Sequence, residues 1–531
     1  MSLDLSRWRM SRRALMRSFG ASAVGALGMT FDLKSPLANP LWRSTPFTLG
    51  IASGDPSADG FVIWTRLAPD PFAEDYGMPI RRVEVQWEVG ADPQMREIVQ
   101  KGIALAHPEL GHSVHVEISG LAADRPYWYR FICGTERSFT GKTKTLPASG
   151  APTPKLRLAV AGCQNYTQGL FTAYRHLARA EPDLVFHYGD YIYEGSSPEL
   201  RQVDGEIAPT VRRHHGQEIY TLSDYRRRYA QYKMDADLQT AHAAAPWFFA
   251  WDDHEIDNNW ASDIDQDNTD PNIFRLRRIA AAQAYYEAMP MRMSSFPVAE
   301  RIQLFRRAEI GDLATLHVLD TRQYRSNHAC EPPETDRLCA AIRDEKRTIL
   351  GERQEAWLKD GLAAAKTRWN PIAQQVMVMD YDRDPTPVQA LNTDAWAGYH
   401  ANRQRLLDHL HQQKIRNAVV LTGDVHQNFA GDIRLSGDKA DAPIVASEFV
   451  ATSIASGGDG IDQRPGAAEV LAQNPHVQFN NSQRGFLLCE LSHNAFVGRF
   501  MVMDRVATPG GAIMERAAFA VEAGKPGLQK A

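Results

Sequence analysis

Past its first forty residues the chain has no apolar run long enough to cross a bilayer, so no transmembrane segment is expected in the mature protein. Neither charge is in excess. A net of −5 over 531 residues leaves no electrostatic footprint for nucleic acid or an anionic membrane, and no nucleic-acid-binding motif is present. Internal repeats and low-complexity tracts are absent. Cysteine is scarce, at five residues, and an odd count leaves at least one thiol unpaired. What remains is an ordinary globular composition, 44% hydrophobic, in a chain too long for one core.

The amino terminus stands apart from the fold. Ser11-Arg-Arg-Ala-Leu-Met-Arg17 is a basic stretch with adjacent arginines, followed by a mild Gly- and Ala-rich apolar run from Phe19 to Met29. That run is too short for a membrane helix and too weakly apolar for a strong general-export signal. Residues 1–40 therefore resemble a twin-arginine signal, which implies export by the twin-arginine machinery to the periplasm or medium, with Ala38 as a cleavage point. In an oxidising compartment Cys330 and Cys339, flanking a short polar loop, could pair. Cys133 and Cys489 lie in apolar runs as buried free thiols.

Residues 45–147 alternate in strand fashion, at Phe61–Arg66, Arg82–Glu88, Val114–Ile118 and Tyr127–Phe131. The corner Leu121–Tyr127 resembles the tyrosine corner of immunoglobulin or fibronectin sandwiches, so a small β-sandwich is expected here. The linker-like Pro147–Pro154 follows. From 154 to 515 strands and helices alternate: strands at Leu156–Ala161, Leu184–Tyr188, Thr315–Asp320, Gln375–Met379 and Ala418–Thr422, helices at Leu170–Ala180, Tyr225–Lys233, Phe274–Ala288, 353–365 and Asn402–Lys414. This predicts a layered α/β domain. Residues 516–531 read as a carboxyl-terminal tail.

Four strand ends carry the chemistry. Leu184-Val-Phe-His-Tyr-Gly-Asp-Tyr-Ile-Tyr-Glu194 stops at Gly189 and continues with Asp190, Tyr193 and Glu194, all metal-capable. A buried parallel strand ends this way at the carboxyl edge of an α/β sheet, where such folds keep their ligands. Ala161-Gly-Cys163 puts a thiol at a second strand end, as metal ligand, nucleophile or structural residue. The aromatic run from Trp247 meets Asp252-Asp-His-Glu-Ile-Asp-Asn-Asn259. Ala418-Val-Val-Leu-Thr-Gly-Asp-Val-His426 sets Asp424 and His426 on alternate residues. Elsewhere, Asp263–Asp270 lacks the glycine and terminal glutamate of an EF-hand and reads as a solvated loop. His214-His215 reads as a surface loop, and His187 as a core histidine or a hydrogen-bond donor to the site.

Gly189-Asp-x-x-Tyr193, Asp253-His254-Glu255 and Gly423-Asp-Val-His426, in that order, resemble a variant of the calcineurin-type metallophosphoesterase signature. Purple acid phosphatases share the Gly-Asp-x-x-Tyr element and an amino-terminal β-sandwich. Ile51-Ala-Ser-Gly-Asp-Pro56, Cys163-Gln-Asn-Tyr166, Asp252-Asp-His-Glu255 and Leu319-Asp-Thr-Arg-Gln-Tyr-Arg325 narrow the resemblance to the alkaline phosphatase D (PhoD-like) family, over essentially the whole chain. The resemblance implies a four-layer α/β sandwich and a phosphatase or phosphodiesterase acting on phosphate mono- or diesters. It also implies an iron–calcium centre in which Asp190 bridges. Cys163, Tyr193 and His426 then complete an Fe3+ site, and Asp253 and Asp424 a Ca2+ site, with Asn258 or Asn259 as further oxygen donors, in keeping with the softness of each set. His254 is expected to protonate the leaving group. Arg322 is expected to hold a phosphate oxygen, with a structural ion pair as its alternative. Phospholipase D-type cleavage and a non-catalytic surface-binding role stay open beside the phosphatase.

Overall fold

The computed structural model describes residues 42, 44–203, 206–330, 338–386, 388–436 and 441–531. The signal-like residues 1–40, with their arginine pair, lie outside the described residues.

Two large sheets organise the molecule. The first has ten strands, in the order Lys525–Lys530, Ile513–Glu522, Ala495–Met503, Gly485–Ser492, Lys155–Ala161, Leu184–His187, Trp247–Phe249, Ile51–Ser57, Gly60–Arg66 and Ser113–Ile118. Its centre is parallel: Lys155–Ala161, Leu184–His187 and Trp247–Phe249 run side by side and end on the same edge. The second has seven strands, Arg306–Ile310, Ala314–Val318, Asn370–Ala373, Ala418–Thr422, Ile444–Val450, Asn428–Arg434 and Val477–Asn481, again parallel in the middle. Leu184–His187 and Ala418–Thr422 are buried along their whole length and mostly apolar, because both of their faces are covered. One core joins the two sheets through Val160, Phe186, Leu421 and Phe449. A second packs the first sheet against the helices Thr172–Arg179, Leu222–Lys233 and Pro271–Ala288. A third packs the second sheet against Gly351–Ala364 and His400–Gln412.

The expected amino-terminal strands are all present, and strand pairing joins them to the rest of the molecule. Ile98–Ala106, Val83–Gly90, Pro126–Cys133, Glu136–Arg137 and Gly141–Lys144 make a third sheet. That sheet faces Ile51–Ser57, Gly60–Arg66 and Ser113–Ile118 across a shared core, and these three belong to the ten-stranded sheet. Ile51–Ser57 pairs in parallel with Trp247–Phe249, Gly54 opposite Trp247. The corner residue Tyr127 does tie back: its hydroxyl accepts the Ala122 N–H at 3.1 Å.

Other expectations need correction. The reading of 516–531 as a tail is wrong: Ile513–Glu522 and Lys525–Lys530 form a hairpin at the edge of the first sheet, turning at Gly524, where φ is +83°. It buries Phe519, Val521 and Leu528, and the catalytic region therefore does not stop at 515. The strand expected at Gln375–Met379 lies earlier, at Asn370–Ala373. Beyond it the N–H groups of Val378 and Met379 donate to the buried carboxylate of Glu448 instead of a neighbouring strand. His214 is not on the surface: it is buried, with Nδ1 at 2.8 Å from the Gly195 carbonyl and Nε2 at 3.0 Å from the Tyr232 hydroxyl. His187 is a core histidine, stacked on Trp247, with neither ring nitrogen hydrogen-bonded. Cys330 and Cys339 are disulfide-bonded, and Cys133, Cys163 and Cys489 are buried free thiols. Among the described residues no helix is long and apolar enough to cross a membrane.

Candidate metal centre

All four chemistry-bearing segments meet where the parallel strands of the two sheets end. What lets them meet is the ring of Tyr188, fully buried and tied by its hydroxyl to the Thr452 carbonyl at 2.9 Å. It lies flat against the residues preceding two of the candidate ligands. A Cβ at Gly162 would sit 2.3 Å from this ring, and one at Gly423 would sit 2.1 Å from it. The glycines that break both strands are thus there for close approach. Gly189 has φ +137° and faces the next loop so closely that a Cβ would meet the Asp252 nitrogen at 2.3 Å. The side chains that follow are held in an unusual backbone state: Cys163, Asp190, Asn259, Asp424 and His426 all have φ between 50° and 67°. For non-glycine residues such a cluster marks a site over-determined by its surroundings.

One ligand atom each from Cys163, Asp190 and His426 lie within 4.8 Å of one another. The Tyr193 hydroxyl joins them, 2.7 Å from Asp190 Oδ2 and 3.1 Å from His426 Nε2. Asp190, Asp253 and His254 form a second such group, and Asp252, Asp253 and Asp424 a third. Asp190 belongs to two of the three. Asn258 directs its amide nitrogen away, to Gln266 at 2.9 Å, whereas the Asn259 side chain makes no hydrogen bond among the described residues and its backbone N–H donates to Asp253 at 2.8 Å.

The electrostatics of these groups are those of anions crowded together out of water. Burial, then the carboxylates of Asp190, Asp252 and Asp424, push the Cys163 thiol well up. Burial and Asp190 do the same to Tyr193. Asp190 and Asp424 are both raised, first by burial. His426 is pushed down to about 3 by burial, with Arg484 adding to it, which leaves a neutral imidazole fit to ligate. Asp252 Oδ2 and Asp253 Oδ1 are buried without a hydrogen-bond partner. Orphaned carboxylate oxygens beside a thiol, a phenol and an imidazole are what a multivalent cation resolves, so the residues present fit bound metal.

His254 differs from its neighbours. Burial opposes its charge, but Glu194, Asp253 and Asp190 outweigh it and raise the imidazole well above its ordinary range. Its Nδ1 lies 2.7 Å from Glu194 Oε2, and its ring stacks on Tyr193 with centroids 4.1 Å apart. Nε2 makes no hydrogen bond within the described residues. Arg322 is placed otherwise than a phosphate clamp requires. It is fully buried, with Nε 2.5 Å from Asp252, Nη1 2.9 Å from Asp394 and Nη2 3.3 Å from Asp424. Its donors are occupied by carboxylates, which fits the ion-pair alternative.

Comparison with known proteins bears on the whole chain. The model described as "PhoD-like phosphatase, N-terminal domain" matches residues 34–147, and "PhoD-like phosphatase" matches 158–500. The chain belongs to the PhoD-like phosphatase family. It is 44% identical over 530 residues to alkaline phosphatase D of Bacillus subtilis (strain 168), covering 98% of this chain and 89% of that protein. A solved structure titled "Structure of PhoD" superposes with a TM-score of 0.89 at 45% identity, covering 92% of this chain and 93% of the other.

Within this PhoD-like site four residues escaped sequence reasoning or were given another part. Glu194, read as metal-capable, holds His254 and accepts the Asn258 N–H at 3.0 Å. Glu255 is fully buried and accepts three backbone N–H groups from two loops: Asp190 at 3.0 Å, Tyr191 at 2.6 Å and Asp252 at 2.8 Å. The Ser456 hydroxyl lies 2.7 Å from both the Cys163 carbonyl and the Tyr193 hydroxyl. Asp252 stands among the carboxylates facing Arg322. Glu194 and Glu255 sat in plain view inside the motifs; Ser456, 293 residues from Cys163, left no signal.

Proposed function

We propose that this PhoD-like chain is an exported, metal-dependent phosphatase that also cleaves phosphodiesters. The observation carrying this reading is the convergence of Cys163, Asp190, Tyr193 and His426 on one point, with Asp253 and Asp424 alongside. Thiolate, phenolate and imidazole suit an Fe3+ ion held by Cys163, Tyr193, His426 and Asp190. The all-oxygen set of Asp190, Asp253 and Asp424 suits Ca2+, and the unengaged amide of Asn259 favours it over Asn258 as the further donor. Bound there, such ions supply Lewis-acid charge for phosphate oxygens and lower the pKa of water.

The remaining work falls to side chains. Water attacks phosphorus in line, the bond to the departing alcohol breaks, His254 Nε2 delivers a proton to the alkoxide, and the proton released by the attacking water goes to solvent, from which His254 is recharged. Glu194 holds that ring by its other nitrogen and keeps it charged, and Tyr193 fixes its plane. Arg322 moderates the mutual repulsion of Asp252, Asp253 and Asp424. Under this reading the order helices, sheet, sheet, helices is the four-layer metallophosphoesterase arrangement, with an immunoglobulin-like amino-terminal part. The twin-arginine pattern at Arg12-Arg13 and the disulfide Cys330–Cys339 support export to an oxidising space.

Elemental analysis of the unchelated protein, with phosphate release from nitrophenyl phosphate and bis-nitrophenyl phosphate, tests the reading. Iron and calcium should co-purify, both substrates should turn over, and Cys163→Ala or Asp190→Ala should lower turnover by more than about 100-fold. Absence of iron would overturn the metal assignment, and unchanged release in both variants would overturn this centre as the source of the phosphatase activity.

A further inference from the structure

Away from the metal centre, a cavity of about 310 Å³ opens beside the start of the helix Pro271–Ala288. None of the candidate metal ligands lines it. It abuts the same neighbourhood nonetheless: the Ser262 N–H donates to the Arg322 carbonyl at 3.3 Å, and Gln323, next in the chain, forms part of its wall. The volume is at the lower end of the roughly 300–1,000 Å³ of small-molecule pockets.

Three arginines line the cavity, and they are not equivalent. Arg275 is paired with Glu300 at 3.1 Å. Arg278 is only 6% exposed, yet it makes no hydrogen bond and no ion pair among the described residues, and its Nε is buried without a partner. Its guanidinium lies over the face of Trp260, 5.3 Å from the ring centroid, and the carboxylates of Glu300, Asp263 and Asp320 act on it from farther away. Arg301, exposed at the rim, uses its backbone N–H in a turn, and its guanidinium makes no ion pair among the described residues. Tyr324 and Ser262 also line the space, and their hydroxyls make no hydrogen bond among the described residues. Against these donors stand Glu300, already paired, and the exposed Asp263.

A buried guanidinium nitrogen with no acceptor is rare, because its N–H has lost water and gained no partner. Here the Arg278 guanidinium borders a cavity alongside the exposed guanidinium of Arg301, the hydroxyls of Tyr324 and Ser262, and the start of an eighteen-residue helix capped by Asp270. The complement of that arrangement is a compact anion with several acceptor oxygens, which an arginine fork grips in pairs. We propose that this cavity is a second anion site, taking a phosphate-class oxyanion on Arg278 and Arg301 with Tyr324 and Ser262 completing the shell. The ligand is either free phosphate or a phosphoryl group on the distal part of an extended substrate. The first alternative stands apart from the metal centre; the second rests on the phosphatase reading of it.

The test counts phosphate on the metal-loaded, full-length protein by equilibrium dialysis with radiolabelled inorganic phosphate. Wild type should bind one phosphate more per chain than Arg301→Ala and Arg278→Met do, with at least a tenfold loss of affinity at that site in each variant. Turnover of nitrophenyl phosphate and the melting temperature should be retained in Arg301→Ala, whose side chain is exposed, so that a folding defect in Arg278→Met does not decide the matter. If free phosphate is the ligand, the non-competitive part of phosphate inhibition disappears in Arg301→Ala. If a distal phosphoryl group is the ligand, KM for propanediol bisphosphate rises while KM for nitrophenyl phosphate does not. Equal stoichiometry in wild type and both variants, with inhibition and KM unmoved, would overturn the site.

Discussion

Replacing Glu255 with glutamine tests whether one carboxylate holds two metal-bearing loops in register. Its Oε2 accepts from Asp190 and Asp252, its Oε1 from Tyr191. Burial pushes its pKa up to about 8 while these donors pull the other way, so the experiment belongs at pH 9, where the carboxylate is ionised. In Glu255→Gln the amide oxygen can serve only one side. If it keeps Asp190 and Asp252, the Tyr191 N–H faces an NH2 donor and is left unsatisfied in a dry interior, at about 1–3 kcal/mol. The two surviving bonds drop from charge-assisted to neutral, losing about 1 kcal/mol each. The expected loss is therefore about 3–5 kcal/mol by chemical denaturation of the chelated protein, where metal binding does not contribute. Because Asp190 and Asp252 lie on the two loops so joined, metal affinity should fall by roughly 10–100-fold as well, read by titration of the chelated protein. A variant that unfolds at the wild-type denaturant concentration and binds metal normally would refute the reasoning.

Three further outcomes follow from the same geometry. Gly423→Ala drives a methyl into the Tyr188 ring and should destabilise by about 1–3 kcal/mol, with Tyr188→Leu in the same chain recovering part of the loss; no recovery in the double variant would remove the ring as the cause. His115, buried between Ser113–Ile118 and Pro271–Ala288, has its pKa pushed down to about 4 by burial. The unfolded chain therefore takes up a proton that the folded one refuses as pH falls from 6.5. Stability should decline across that window by on the order of 3 kcal/mol at pH 4. His115→Gln should flatten the denaturation profile between pH 6.5 and 4, and parallel profiles would count against this. Chelation should lower the melting temperature, since ions bound to the folded state at 100 times Kd stabilise it by about 2.7 kcal/mol; Cys163→Ala should shrink that difference, and an unchanged chelator effect would detach the thiol from the metal.

The candidate site was legible wherever a ligand followed an apolar strand closed by glycine, because that local pattern carries its own geometry. Cys163, Asp190 and Asp424 come from such places, Asp253 from an aromatic run that meets its carboxylates with no glycine between, and the structure brings them together. Partners supplied from far along the chain were not legible. Ser456 touches Cys163 across 293 residues and Asp394 touches Arg322 across 72, with no periodicity to announce either. Arg322 was ambiguous for the same reason: a guanidinium reads alike whether it meets phosphate or carboxylate. The terminal hairpin was missed because its outer strand, Lys525–Lys530, buries only Leu528 and so lacks the alternation that marks a strand. The shared sheet was missed because strand pairing between Gly54 and Trp247 leaves no trace in either segment alone.

That pairing has a practical consequence. The linker at 147–154 looks like a place to divide the protein, yet a fragment starting there would leave Trp247–Phe249 as a raw edge, its backbone donors and acceptors open to any passing strand. Halves produced separately should clump rather than fold. Neither is a usable building block without the other.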